Sequence, residues 1–294
     1  MKHELCCIGH ITLDTIITPQ NTVYLPGGTA FYFSHALARL DADYLLVTAL
    51  AETEMEAVGS LRAKGIEVRA WPSAHTVVFE NRYGHNPDER TQRVLQEADA
   101  FTVEQLRDVE AQVFHLGPLL ANDIPAAVIK ALAVKGKVSL DVQGFLRRVK
   151  YQQVLGTDWA EKKELLPFIH YLKANEEELE LLTGSSDVYQ GAKTLAAWGV
   201  KEVIITMGSR GSLLYSGERF YTVPAFVPAR VTDATGCGDT YMAGYVYSRI
   251  KGEGLQASGE FAAAMASLKI EGSGPFTGTQ KEVEEVLKKN RRAG

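Results

Sequence analysis

Long apolar runs are missing from this sequence of 294 residues: none approaches the roughly 18 consecutive residues that a membrane-spanning helix needs. An excess of basic charge is missing too. The 31 Lys and Arg stand against 36 Asp and Glu, a formal net charge of −5, which argues against a nucleic-acid binder, since that function calls for a basic face to displace counterions. Only three cysteines occur, Cys6, Cys7 and Cys237, too few for a disulfide framework, and a reducing cytoplasm is the expected setting. The seven histidines are scattered singly, with no His-x-x-x-His pair and no Cys-x-x-Cys, so a zinc site is not expected. The opening residues hold an apolar stretch too short for a secretory h-region and read as a first strand. Phosphate loops of the G-x-x-x-x-G-K-[ST] type are absent, which excludes a P-loop enzyme.

What the sequence does have is the composition of a folded α/β protein. Hydrophobic residues make up 46% and charged residues 23%, enough apolar material for a large core and too much for disorder as the main state. Short runs rich in Val, Ile and Leu fall at 4–9, 45–50, 112–117, 137–142, 168–174 and 202–207. Such runs mark strands buried on both faces. Between them, helical periodicity covers 29–40, 53–64, 122–134, 175–182, 187–198, 238–250 and 261–270. The alternation predicts an α/β fold: a doubly wound, mostly parallel sheet with helices on both faces. Ligands of such sheets bind at the carboxyl ends of the strands, beside helix N-termini. Two extended stretches, about 11–26 and 66–101, interrupt the rhythm and predict a small, discontinuous β-layer on a single core of 1–294. It includes the polar loop 84–90, and pattern alone leaves open whether the layer is a lid or a surface hairpin. At the end, Thr279 and Glu282 have capping-box spacing before an apolar stripe, which predicts a packing helix.

The most informative stretch is Asp233-Ala234-Thr235-Gly236-Cys237-Gly238-Asp239. Two glycines bracket a small residue just before a helical run, so backbone N–H groups are available to an anion at a helix N-terminus. Asp239 puts a negative charge at the same place. That suits a base that takes a proton from a hydroxyl attacking a bound phosphorus, and it equally suits a helix-start carboxylate beside a tight turn. Thr206-Met207-Gly208-Ser209-Arg210-Gly211 follows a strand and reads either as a nucleotide border or as a hairpin turn. Asn175-Glu176-Glu177-Glu178 reads as a capping box, or as acids that organise a hydrated Mg²⁺. Gly27-Gly28 opens a helix near Asp14, an acid placed to bind a polyol hydroxyl or to shape a turn.

In this order the pieces resemble the ribokinase-like, or PfkB-type, carbohydrate kinase family. Asp233 to Asp239 match its D-x-x-G-x-G-D signature, Gly27-Gly28 its Gly-Gly pair, Asn175 to Glu178 its N-x-x-E motif, and Thr206 to Gly211 its T-x-G-x-x-G element. The resemblance spans essentially the whole chain. It implies transfer of the γ-phosphoryl group of ATP to a hydroxyl of a small sugar or polyol, with a nucleoside kinase as the alternative within the family. It also implies that Asp239 is the general base and that the amides of Gly236, Cys237 and Gly238 hold the anion. Asn175, Thr206, Gly208, Gly211 and Thr235 would border the nucleotide, with Glu178 serving Mg²⁺. Asp14, Gly27, Gly28, Tyr32 and Gln143 would face the substrate hydroxyls. Members of the family often bind K⁺, which points to Asp233 and the loop 272–274, and their β-lid commonly serves as a homodimer surface.

Departures from the pattern bear on the substrate. Tyr32 stands where the family normally has an asparagine, Cys237 where it has alanine, and Gln143 with Arg147 replaces the usual D-P-N-x-R arrangement after Asp141. The stretches around His115 and Asp141 are more similar to the inositol-kinase branch than to ribokinase proper. A nucleotide or sugar sensor without catalysis is the rival from another class, and Asp239 within an intact glycine frame argues against it. An NAD-dependent oxidoreductase is disfavoured because no G-x-G-x-x-G follows the first strand.

Overall fold

The apolar runs become strands because their side chains are covered on both sides. Leu5 to Ile8 and Val203 to Ile205 are all wholly buried, as expected for the middle of a parallel sheet between two helical layers. The computed structural model describes residues 2–18, 20–83 and 90–291. Its large sheet has nine strands, in the spatial order Arg219–Val223, Ser212–Ser216, Glu202–Thr206, Tyr171–Asn175, Lys137–Asp141, Ala111–Leu116, His3–Ile8, Tyr44–Ala51 and Glu67–Ser73. All run in one direction except Ser212–Ser216, which is antiparallel to both of its neighbours. Two apolar clusters lie on the two faces of the sheet. One holds Phe114, Ile129 and Leu195, the other Phe33, Met242 and Met265. No helix of the described residues is long and apolar enough to cross a membrane.

A second sheet has six strands, in the order Arg147–Lys150, Gln153–Gly156, Arg90–Gln96, Val77–Tyr83, Thr12–Ile17 and Thr22–Gly27. It packs Val77, Phe79 and Val94 against Leu119 and Leu120 of the core. Its boundaries differ from the expected 11–26 and 66–101 in two ways. Glu67–Ser73 pairs in parallel with Tyr44–Ala51 as the edge of the large sheet. Its half-buried pattern is what an edge strand and a lid strand share, so alternation could not separate them. The hairpin Arg147–Lys150 and Gln153–Gly156 joins the small sheet from outside the expected span. Its turn residues Tyr151 and Gln152 both take positive φ, 51° and 63°, without the Asn-Gly that normally announces such a turn. Within the loop expected at 84–90, residues 84–89 lie outside the described residues.

Helix N-termini and strand ends converge between the sheets. Thr29–Leu37 starts behind Gly28, and Cys237–Ile250 starts behind Gly236, which sits at φ 75°. Asp141 and Asn175 end neighbouring parallel strands. The strand order changes direction at His3–Ile8, the first strand, with Tyr44–Ala51 on one side and Ala111–Leu116 on the other, and such a switch opens a crevice at the carboxyl ends.

Candidate active site

The crevice holds the turn that the sequence singled out. Gly236 is the residue before the helix Cys237–Ile250, and a Cβ on it would come within 2.2 Å of the Tyr32 ring. Both its φ and this contact require glycine. The N–H of Cys237, expected with those of Gly236 and Gly238 to hold the anion, instead closes the turn on the Ala234 carbonyl at 3.1 Å. The first-turn amides of Gly238 and Asp239 have no carbonyl one turn back to bond, so they are the donors the turn offers to an anion, together with that of Gly236.

Asp239 lies half-buried in that first turn. Burial, with the nearby Asp141 carboxylate, pushes its carboxyl up to about 6. Lys173 and a hydrogen bond from the Thr29 hydroxyl pull in the opposite direction. A carboxylate of that strength is ionised at neutral pH and is still a competent proton acceptor.

Lys173 was not among the expected site residues. It sits on the buried strand Tyr171–Asn175 with Nζ 2.9 Å from Asp141 Oδ2. Burial works against its charge, but Asp141 and Glu178 outweigh it and hold the ammonium above the usual lysine range. A Cβ on Gly238 would lie 3.1 Å from Nζ, so the ammonium lies against the glycine turn. The signal was present in Tyr-Leu-Lys-Ala-Asn, because a lysine within an apolar strand is nearly always paired.

Asn175 and Glu178 form a complete capping box. Glu178 N donates to Asn175 Oδ1 at 2.8 Å, Asn175 N donates to Glu178 Oε2 at 2.8 Å, and Gln143 Nε2 donates to Glu178 Oε1 at 3.2 Å. Each oxygen of Glu178 thus already accepts a protein donor. This fits a contact to the waters of a phosphate-bound Mg²⁺, an ion that keeps most of its hydration. Among the described residues no group of three or more His, Cys, Asp or Glu is placed to hold a metal ion directly.

Two cavities meet at the turn. One, of about 410 Å³, is largely apolar and is lined by Phe226, Tyr241, Ala263, Ala266 and Ile270 together with Thr206, Gly208, Gly211 and Cys237. Gly208 and Gly211 take φ 57° and 92°, and a Cβ on Gly211 would fall 2.1 Å from the Val223 carbonyl. The other, of about 660 Å³, is polar. Asp14, Gly28, Tyr32, Gln143, Asn175, Asp233, Thr235 and Asp239 line it, joined by Lys173, Arg147, Phe79 and Gln92; of these Asp14, Phe79, Gln92 and Arg147 come from the small sheet. Thr206, Ala234 and Gly238 border both. Thr12 Oγ1 donates to Asp14 Oδ1 at 2.7 Å. Gly27 lies behind Asp14, where a Cβ would be 2.6 Å from Oδ2, so its part is to leave room for that carboxylate. Glu178 lies behind Gln143.

Asp233 is the remaining expected ligand. Its Oδ1 accepts from Thr235 N at 2.9 Å and its Oδ2 from Gly274 N at 3.3 Å. Lys269 Nζ lies 2.8 Å from the Asp233 carbonyl oxygen and 3.4 Å from Oδ2, with its side chain wholly buried. The neighbouring carbonyls are committed as well: Ile270 O to the N–H groups of Thr232 and Asp233, and Glu271 O to Arg230 and Thr232. A potassium ion needs oxygens turned inward, and here every partner turned toward Asp233 is a donor. A second unit charge about 4 Å from the ammonium would meet roughly 4 kcal/mol of repulsion at an effective dielectric of about 20. The described residues therefore do not fit K⁺ at Asp233.

The pfkB family carbohydrate kinase model matches residues 2–282. A cytidine kinase of Thermococcus kodakarensis is 28% identical, over 86% of this chain and 91% of its own. A pyrophosphate-dependent kinase of the ribokinase family, solved with a pyrophosphate analogue and myo-inositol, superposes with a TM-score of 0.87 at 26% identity, covering 96% of this chain and 99% of its own. Arabidopsis thaliana ribokinase with ribose and ATP gives 0.79 at 25% identity, covering 98% and 99%.

Proposed function

This chain belongs to the pfkB family of carbohydrate kinases, and from that premise we propose that it moves the γ-phosphoryl group of ATP to a hydroxyl of a small sugar or polyol. The observation that carries the reading is the pair of unlike cavities joined at Ala234 and Gly238, with the Asp239 carboxyl at the junction. A nucleoside base has use for an apolar cavity of about 410 Å³, whereas pyrophosphate, the donor of one relative, has none. ATP is therefore favoured as the donor.

In the reaction, the substrate lies in the polar cavity with its hydroxyls on Asp14, Gln143 and Arg147, and one hydroxyl faces Asp239. Asp239 takes that proton as the oxygen attacks the γ-phosphorus in line, and ADP leaves toward the apolar cavity. The amides of Gly236, Gly238 and Asp239, the positive end of the helix Cys237–Ile250 and the Lys173 ammonium receive the charge that develops on the transferred group. The Thr29 hydroxyl beside Asp239 favours its ionised form. Magnesium, brought with the nucleotide, would neutralise phosphate charge, with Asn175 and Glu178 on its waters.

Nucleoside phosphorylation is the second reading. The Phe79 and Tyr32 rings in the polar cavity favour it, since a base can stack on either. We further propose that the small sheet closes as a lid over the substrate and that its edge strand Thr22–Gly27, which exposes Val23, Tyr24 and Leu25, meets a second copy; sedimentation of Tyr24→Lys tests that pairing. Measuring consumption of ATP, and separately of pyrophosphate, over inositols, pentoses, ketoses and nucleosides tests donor and substrate together. Turnover with pyrophosphate but not ATP would overturn the donor, and turnover of nucleosides alone the substrate class.

A further inference from the structure

We propose that Lys269 is a built-in cation: its ammonium takes the place of a monovalent metal ion beside Asp233 and positions the anion-binding turn. Lys269 lies near the end of the helix Leu255–Ile270, where an unpaired buried ammonium would be costly to desolvate. Its wholly buried side chain delivers Nζ to the Asp233 carbonyl at 2.8 Å and to Oδ2 at 3.4 Å. Asp233 is the residue from which the turn is hung. Its Oδ1 holds Thr235 N, its Oδ2 also holds Gly274 N, and three residues further on Gly236 adopts the left-handed conformation that starts the helix of Asp239. The ammonium thus ties the first residue of the turn to the helix Leu255–Ile270, which also walls the apolar cavity through Ala263 and Ala266.

Covalent tethering separates this arrangement from a bound ion. A bound ion leaves at low concentration, whereas a lysine on a buried helix is present whatever the medium. The turn of this chain is accordingly held without any dissociable cation. Lys269 is a positioning residue: it does not line the polar cavity and acts on the phosphate through Asp233 and the turn.

The test measures melting temperature and turnover of the wild type, Lys269→Ala and Lys269→Met in potassium, sodium, methylammonium and choline salts at one ionic strength. The wild type is expected to melt at the same temperature in all four and to turn over within about twofold. Lys269→Ala, which vacates a cation-sized space lined by the Asp233 oxygens, is expected to melt lower in choline and to regain stability and turnover in methylammonium or potassium. Lys269→Met keeps the bulk without the charge and is expected to lose turnover with no rescue. A wild type that potassium stabilises or accelerates severalfold over choline would overturn the proposal, as would a Lys269→Met protein that works like the wild type. The activity arm rests on the kinase reading and the melting arm does not, so an absence of turnover with every donor and substrate would sink that reading while melting still decides the inference.

Discussion

The two cavities that flank the turn differ in nearly every physical respect. The apolar one is built from small, aliphatic and aromatic side chains of separate segments, among them Ala263, Ile270 and Phe226. It can hold a flat organic group by area alone, at about 25 cal/mol per Å² of apolar surface covered. The polar one brings Asp14, Asp141, Lys173, Asp233 and Asp239 to a single space, where desolvated charges shift one another and little affinity comes from area. On the proposed reading one side supplies binding energy and the other supplies chemistry, and the Ala234 to Gly238 backbone, which borders both cavities, couples them. A substitution that touches only one side should change only that side's kinetic constant.

Asp239→Asn is the largest expected break in that division. Loss of a general base lowers kcat by about 10² to 10⁴-fold, while the nucleotide affinity, read by calorimetry, stays close to that of the wild type. Near-normal turnover would remove Asp239 from its role. In the wild type kcat/KM should rise with pH through about 6 and level off above it, because the Asp239 carboxyl, raised to about 6, accepts a proton only once it is ionised.

Lys173→Met comes next. Removing a single donor of charge stabilisation to a transition state costs about 10² to 10³-fold in kcat. Because Lys173 lowers the Asp239 carboxyl, its loss should move the rising limb of the pH profile to higher pH. Asp141→Asn should move it to lower pH, since Asp141 raises the same group. Breaking one half of a buried ion pair costs about 3–5 kcal/mol, so the double variant Asp141→Asn/Lys173→Met serves as the folding control. Limbs that both move the same way would refute this account of the network.

The unequal legibility of the two sides in the sequence has the same physical origin. Asp233 to Asp239 stand out because chemistry needs particular residue types at fixed spacing, and glycine is obligatory where φ is positive and the Tyr32 ring presses on Gly236. The parallel strands were legible for a related reason: burial on both faces leaves continuous runs such as Leu5 to Ile8. Of the apolar cavity only Thr206, Gly208 and Gly211 were legible, as a glycine element after a strand; Ala263, Ala266 and Ile270 left no pattern, because alanine and isoleucine at helical spacing look the same whether they face a ligand or the core. Charge pairs such as Asp141 with Lys173 and Asp233 with Lys269 join residues 32 and 36 positions apart, a relation that only the packing of strands and helices creates. Strand Glu67–Ser73 was misassigned to the small layer because its alternation is common to both sheets' edges.

Ala263→Phe sharpens the comparison from the apolar side. Ala263 is buried at the cavity wall, and overfilling such a site costs about 1–3 kcal/mol, equivalent to a rise of about 5- to 150-fold in the KM for ATP. The KM for the substrate hydroxyl compound should not move. If both constants rise together, the cavities are not separable.

Gln92→Leu, expected to have the smallest effect, tests the polar side in the same way. Gln92 Nε2 donates to Asn81 Oδ1 at 2.9 Å, and Asn81 is itself buried. That bond fixes the amide at the cavity edge and leaves Oε1 to accept from a substrate hydroxyl. Leucine keeps the volume and removes both bonds. One hydrogen bond of about 0.5–1.5 kcal/mol corresponds to a two- to tenfold rise in the substrate KM, with the KM for ATP unchanged and a small fall in melting temperature from the unpaired Asn81. An unchanged substrate KM alongside that fall would mean that Gln92 only braces the small sheet, and the reading of the hydroxyls would then rest on Asp14, Gln143 and Arg147.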